Sequence, residues 1–244
     1  FQGDRVSSVI DWEIAHWGDP MEDLGNIVVR EMWNPCGGLT GLFERYSEAA
    51  GVPYSRFAAQ YYAVHQNVRG MIPIHFVCLN AHPRESLAWY LTYRYVGDRT
   101  TCEMIAQAME IPVESPDLPD DAGEADVLAE AALYAQRQDV ATAIEDPFAA
   151  QRAQDVRILI ECMDRKRRYQ AAIDAIECDE MGALLGRRPA AVDEGYAALQ
   201  AAIRERKLAD EALVPYLTRK SLRDEWLYAP AATLYPDRHW ATLD

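Results

Sequence analysis

Thirteen residues, IPVESPDLPDDAG at positions 111–123, set the strongest limit on what this chain can fold into. They hold three prolines and four acidic side chains, and they show no apolar period. Each proline lacks a backbone N–H and fixes φ, so neither a helix interior nor a central strand runs through them. The stretch reads as an extended linker. It divides the chain into residues 1–112, a linker at 113–123 and residues 124–244.

Helical spacing dominates both sides of that linker. Pro20 opens a helix that carries Met21, Leu24, Ile27 and Val28. Thr40 is expected to cap a short helix with Leu42, Phe43 and Tyr46, closed by Gly51. Ser55 caps a long one that reaches about Leu79. A further helix covers residues 84–109, with a break expected near Gly97 and Asp98. Beyond the linker the helical candidates are residues 124–144, 147–163, 165–181, 191–207 and 210–228. Short breaks between them favour an antiparallel bundle. Residues 6–12 are the exception: Val6, Val9 and Ile10 with Ser7 and Ser8 read as a half-buried strand. Gly3, Asp4 and Arg5 before it form a turn cluster, so the strand reads as the second arm of a hairpin whose first arm lies upstream of Phe1. The expected fold class is therefore mainly α, with a remnant strand or hairpin at the N-terminus.

The formal net charge of -15 and pI of about 4.7 argue against nucleic acid or an anionic membrane surface as a partner. Lys166, Arg167 and Arg168 form the tightest basic cluster and read as a solvated helix face. No run approaches the ~18 apolar residues that cross a bilayer. The five cysteines are scattered without a CxxC pair, which points to incidental thiols in a reducing, cytoplasmic setting rather than to zinc or disulfides.

The chemistry concentrates in VSSVIDWEIAHWGDPMEDLGN, positions 6–26. Asp11 and Glu13 stand two apart, and on an extended segment such side chains point to one side. Two close carboxylates at a strand end suit a magnesium ion, and equally a cap or a solvated loop. The longer order, Val9-Ile10-Asp11-Trp12-Glu13, then Gly18-Asp19-Pro20, then Asp23-Leu24, resembles the aminoglycoside phosphotransferase and choline kinase family.

That resemblance implies a protein-kinase-like fold, of which residues 1–112 would be part of the helical C-terminal lobe. It implies ATP and Mg2+ as cofactors and a small hydroxyl compound as acceptor. By position, Asp11 corresponds to the family's metal-binding aspartate and Glu13 to a second metal partner. Asp19 would cap the helix that starts at Pro20, and Asp23 would hold the backbone of the catalytic loop. His16 and Trp17 in the spacer read as loop packing. Tyr61, Tyr62, Tyr90, Tyr93 and Tyr95 read as core packing rather than an acceptor surface.

The family's catalytic loop, His-Gly-Asp with a later Asn, is not in this sequence, and Gly3-Asp4 does not replace it. Nor does a GxxxxGK loop occur. The base is therefore expected upstream of Phe1, and the chain reads as a truncated piece of a phosphotransferase, inactive alone. The alternative is a non-catalytic helical module. In that reading residues 124–244 cover the kinase-like lobe, pair as a homodimer or bind another partner.

Overall fold

Pro20 follows an acidic cap, and from there the chain is helical. The computed structural model describes residues 5–10, 12, 15–35, 38–120, 124, 126–232 and 243. Helix α1 spans Pro20–Trp33, with Pro20 in its first turn, Glu22 and Asp23 beside it and Arg30 in the last turn. This charge order matches the helix dipole. Helix α2 spans Thr40–Ala50, with Leu39 at the cap position and Gly51 closing it in the left-handed region at φ 68°. Helix α3 spans Arg56–Asn80, and the Ser55 hydroxyl accepts from the Ala58 N–H at 3.2 Å. Helix α4 spans Leu87–Ala108.

The start of α1, the Gly51 end of α2 and the Ser55 cap of α3 follow the sequence closely, but Thr40 is the first residue of α2 and Leu39, not Thr40, holds the cap position. The expected break also fails: α4 runs unbroken through Gly97 and Asp98. A Cβ at Gly97 would collide with the Met71 thioether of α3. The glycine leaves room for the Met71 side chain of the neighbouring helix and does not end α4. The Gly97 carbonyl is also used by Thr101 Oγ1 at 2.7 Å and by Asn67 Nδ2 at 3.2 Å.

The expected strand is a further correction. Residues 6–10 form no strand, and Val6, Val9 and Ile10 are 64–73% exposed. Arg5 makes a single bridge pairing, Gly3 and Asp4 of the expected turn lie outside the described residues, and no sheet forms among the described residues. Without a neighbouring ladder, β-branched side chains have no pleated surface to pack on. The mainly α class stands.

Residues 111–120 carry neither helix nor strand. Helix α5 then spans Val127–Ala135, passes through a π-helical turn at Gln136–Val140, and ends as α6 at Ala141–Ala143. Helix α7 is a single 39-residue element, Pro147–Leu185, where two helices with a break at Asp164 were expected. Asp164 stays helical because Arg167 and Arg168, three and four residues on, lie beside its carboxylate. Arg165 is likewise engaged: its guanidinium donates to the Trp226 carbonyl at 2.7 Å and the Leu227 carbonyl at 3.1 Å. It thereby satisfies the end of another helix, whose last carbonyls have no partner of their own. Helices α8 (Val192–Arg204), α9 (Asp210–Leu227) and α10 (Ala229–Ala232) complete the order.

The pairs α1/α3, α3/α4, α4/α9 and α9/α7 run antiparallel, as the residue contacts between them show. One core gathers Leu24 and Val28 of α1, Phe43 of α2 and Ala59 and Ala63 of α3, with Leu243 from the far end of the chain. A second joins Ala88, Leu91 and Tyr95 of α4 to Ile158 and Cys162 of α7 and Ala231 of α10. The aromatic expectations divide here. Tyr95 is buried and stacked on Tyr228 at 4.1 Å, and Tyr93 packs on Trp33 and Trp89, whereas Tyr61 is exposed.

Candidate functional site

The motif region is organised around the first turn of α1. Asp19 does what its position predicts: its Oδ1 accepts from the Met21 N–H at 2.9 Å. That satisfies one of the free N–H groups of the first turn. Glu22, which sequence reasoning passed over, is the hub. His16 Nε2 lies 2.9 Å from one of its oxygens, and Gln66 Nε2 of α3 donates to the other at 2.5 Å. Arg69 of α3 stands 3.8 Å away. The spacer is thus folded back over α1 and tied to α3.

Gly18 lies inside this fold. A Cβ there would sit 3.3 Å from both Glu22 Oε2 and His16 Nε2 and would press on the pair. Tyr62 senses the same negative region: burial and then the charges of Asp19 and Glu22 raise its phenol above the ordinary value. Trp17, expected to pack, is fully exposed.

Asp11 and Glu13 lie outside the described residues. Between them, Trp12 is exposed; its indole N–H donates to the Val9 carbonyl at 2.8 Å. The Trp12 carbonyl accepts from Ala15 N–H at 3.0 Å. Asp23 is on the exposed side of α1. Among the described residues no three His, Cys, Asp or Glu side chains group as metal ligands.

A second concave site was not legible in the sequence. Helices α3, α4 and α9 enclose a cleft of about 500 Å3. His75 of α3 reaches Asp98 of α4, with Nε2 2.7 and 2.9 Å from its two oxygens. Lys220 and Asp224 of α9 pair at 2.5 Å on the opposite wall. Burial alone would lower the Lys220 pKa, but the Asp224 carboxylate outweighs it and the ammonium is held above its ordinary value. Burial pushes the Cys102 thiol up to about 11, so it stays protonated. Cys78, Cys102, Cys162 and Cys178 are free thiols, as expected, and Cys36 lies outside the described residues. In sequence, His75 has only distant histidines for company. Its real partner is 23 residues away, across a helix pair.

Residues 1–61 match the family model described as the phosphotransferase enzyme family. The similarity read from the motif thus extends through α1 and α2 into the start of α3, over 61 of the 244 residues. No match is found among curated proteins or among solved structures. No helix of the described residues is long and apolar enough to cross a membrane.

Proposed function

We propose that the chain is the C-terminal part of an ATP- and magnesium-dependent phosphotransferase that moves a phosphoryl group to a hydroxyl of a small molecule. The supporting observation is the ordered motif from Asp11 to Leu24, inside the residues that match the family, with Asp19 capping the Pro20 helix. In this reading Asp11 and Glu13 hold the magnesium ion that neutralises charge at the nucleotide phosphates. The base and the catalytic-loop Asn are assigned to residues outside these 244, because the sequence contains no His-Gly-Asp…Asn loop, and the phosphate-covering loop and the lysine of the N-terminal lobe are assigned there with them. Glu22 keeps the spacer closed on α1 and so positions the segment that follows Glu13.

The test is ADP release by the protein translated from its own start codon, offered a panel of small hydroxyl compounds. Acceptor-dependent release is expected, falling on the order of 10²–10³-fold in Asp11→Asn. The 244-residue chain is expected to release none. Transfer by that chain alone overturns the assignment of the base, and release indifferent to Asp11→Asn overturns the metal assignment.

One observation favours the second reading, a helical module that self-associates. Helices α5 and α7 leave Val127, Leu128, Tyr134 and Phe148 68–75% exposed. Large apolar side chains left this exposed are candidates for a contact surface. Light scattering behind size exclusion decides it: a dimer supports this reading, and a monomer at high concentration removes it.

A further inference from the structure

We propose that the cleft between α3, α4 and α9 binds an uncharged, mainly apolar small molecule carrying one or two hydrogen-bonding groups. None of the residues that line it lies within positions 1–61, so the inference is independent of the phosphotransferase reading.

Size comes first. About 500 Å3 falls within the range of sites that enclose small ligands. The walls come next. Val68, Met71 and Ile72 of α3 stand opposite Leu217 of α9. Val68 and Ile72 are 41% and 66% exposed, although they sit in a concave surface. An apolar ligand removes that surface from water, and the gain scales with the area covered. Cys102, whose thiol burial keeps protonated and slow to react at neutral pH, adds another small wall.

Charge then narrows the ligand. Each ionisable group in the wall already has a partner inside the wall: the His75 ring nitrogen lies against the Asp98 carboxylate, and Lys220 pairs with Asp224. A cationic or anionic ligand has either to break one of these pairs or to bring its own charge into the cleft without a partner. Both are costly away from water. An uncharged ligand does neither.

The spare hydrogen-bonding capacity sets the rest. Thr101 Oγ1 already donates to the Gly97 carbonyl and accepts from Asn67, and Ser221 Oγ already donates to the Thr218 carbonyl. What remains includes lone pairs on Asp98 and Asp224, the second ring nitrogen of His75 and ammonium hydrogens on Lys220. That is enough for a hydroxyl or a carbonyl. Because α9 follows the 111–120 segment and α3 and α4 precede it, the ligand touches both parts of the chain.

The experiment titrates the 244-residue chain with the uncharged naphthalene dye prodan, the anion ANS and the cation dansylcadaverine. Saturable prodan binding with a blue shift is expected, at least tenfold tighter than either charged dye. Ile72→Glu and Val68→Trp, both at exposed helix positions, are each expected to weaken it at least tenfold at unchanged helix content. Peptide mass spectrometry locates the site: prodan should slow N-ethylmaleimide modification of Cys102 and leave Cys78 unaffected. The proposal is overturned if prodan shows no saturable binding or if the charged dyes bind equally well. It is also overturned if both substitutions leave binding intact or if Cys102 gains no protection.

Discussion

The α1/α3 and α7/α9 contacts are both antiparallel helix pairs, yet different forces hold them. Helix α1 meets α3 through small residues: a Cβ on Gly25 would lie 2.7 Å from the backbone of Tyr62 and of Ala63. Helix α7 meets α9 through buried ions. The fully buried Arg223 guanidinium reaches Glu177 at 2.7 Å and Glu180 at 2.6 Å, and the Tyr216 hydroxyl donates to Glu177 at 2.7 Å. Burial works against the charge on Arg223, but Glu180 and Glu177 outweigh it. Burial and the same Glu177 hold the Tyr216 phenol far above its ordinary range. The first contact is limited by volume and the second by charge, so each fails under a different kind of substitution.

The largest effect should come from the charged contact. Arg223→Met leaves Glu177 buried without its cation, which costs about 3–5 kcal/mol. In a chain of this size that lowers Tm by on the order of 10 °C, read by thermal unfolding in circular dichroism. Glu180 keeps Arg219 as a partner at 2.8 Å, so Glu177 alone is orphaned, and replacing Glu177 with Gln in the same chain should recover part of the loss. A double-digit Tm loss that persists in the double variant would show that packing, not charge, holds the pair.

The small-residue contact comes next. Gly25→Ala drives a methyl into immovable backbone and costs about 1–3 kcal/mol. Gly97→Ala is the internal control. Its methyl meets the flexible end of Met71, and alanine returns roughly 1 kcal/mol of helix propensity. The two denaturation midpoints should therefore separate, with Gly97→Ala close to the unaltered chain. Equal losses at both positions would mean that the Met71 side chain is as fixed as the backbone beside Gly25.

This pair of glycines also shows where sequence reading stops. Asp19 and Ser55 were legible because a cap acts on N–H groups two or three residues away. The composition of residues 111–120 was legible because proline acts locally. Gly97 was misread as a break because its role depends on Met71, 26 positions back in the sequence and on another helix. The same distance problem hid the Arg223–Glu177 pair, 46 residues apart, and the His75–Asp98 wall of the cleft. Asp164 looked like a helix stop only while its i+3 and i+4 arginines were counted as solvated. Asp11 and Glu13 were picked out by motif alone.

The core between the two halves should reveal itself at alkaline pH. Burial pushes the thiols of Cys102, in the cleft, and Cys162, under α10, up to about 11 from an ordinary value of 9.0. The unfolded thiols lose their protons first, so the unfolded state is favoured as pH rises. Their contribution is complete below about pH 9 and is lost on the way to about pH 11, at most roughly 3 kcal/mol per thiol. The fall in Tm over that window should be shallower in Cys102→Ala/Cys162→Ala. Parallel slopes would assign the loss to other groups.

The smallest effects separate two aspartates four residues apart in one motif. Asp19→Ala removes the side chain that accepts from Met21 N–H, and losing a cap of this kind costs about 1 kcal/mol. Asp23 sits in the same first turn but is exposed, so Asp23→Ala gives up only a favourable interaction with the helix dipole, about 0.3–1 kcal/mol and less in salt. Raising ionic strength should therefore shrink the Asp23→Ala effect and leave most of the Asp19→Ala effect in place. If Asp23 serves a catalytic loop, its larger effect appears only in a protein that carries that loop, as lost turnover rather than lost stability. A cost for Asp23→Ala in the 244-residue chain that matches Asp19→Ala and resists salt would place a structural partner on Asp23 within these helices, and would remove the reason to reserve it for the loop.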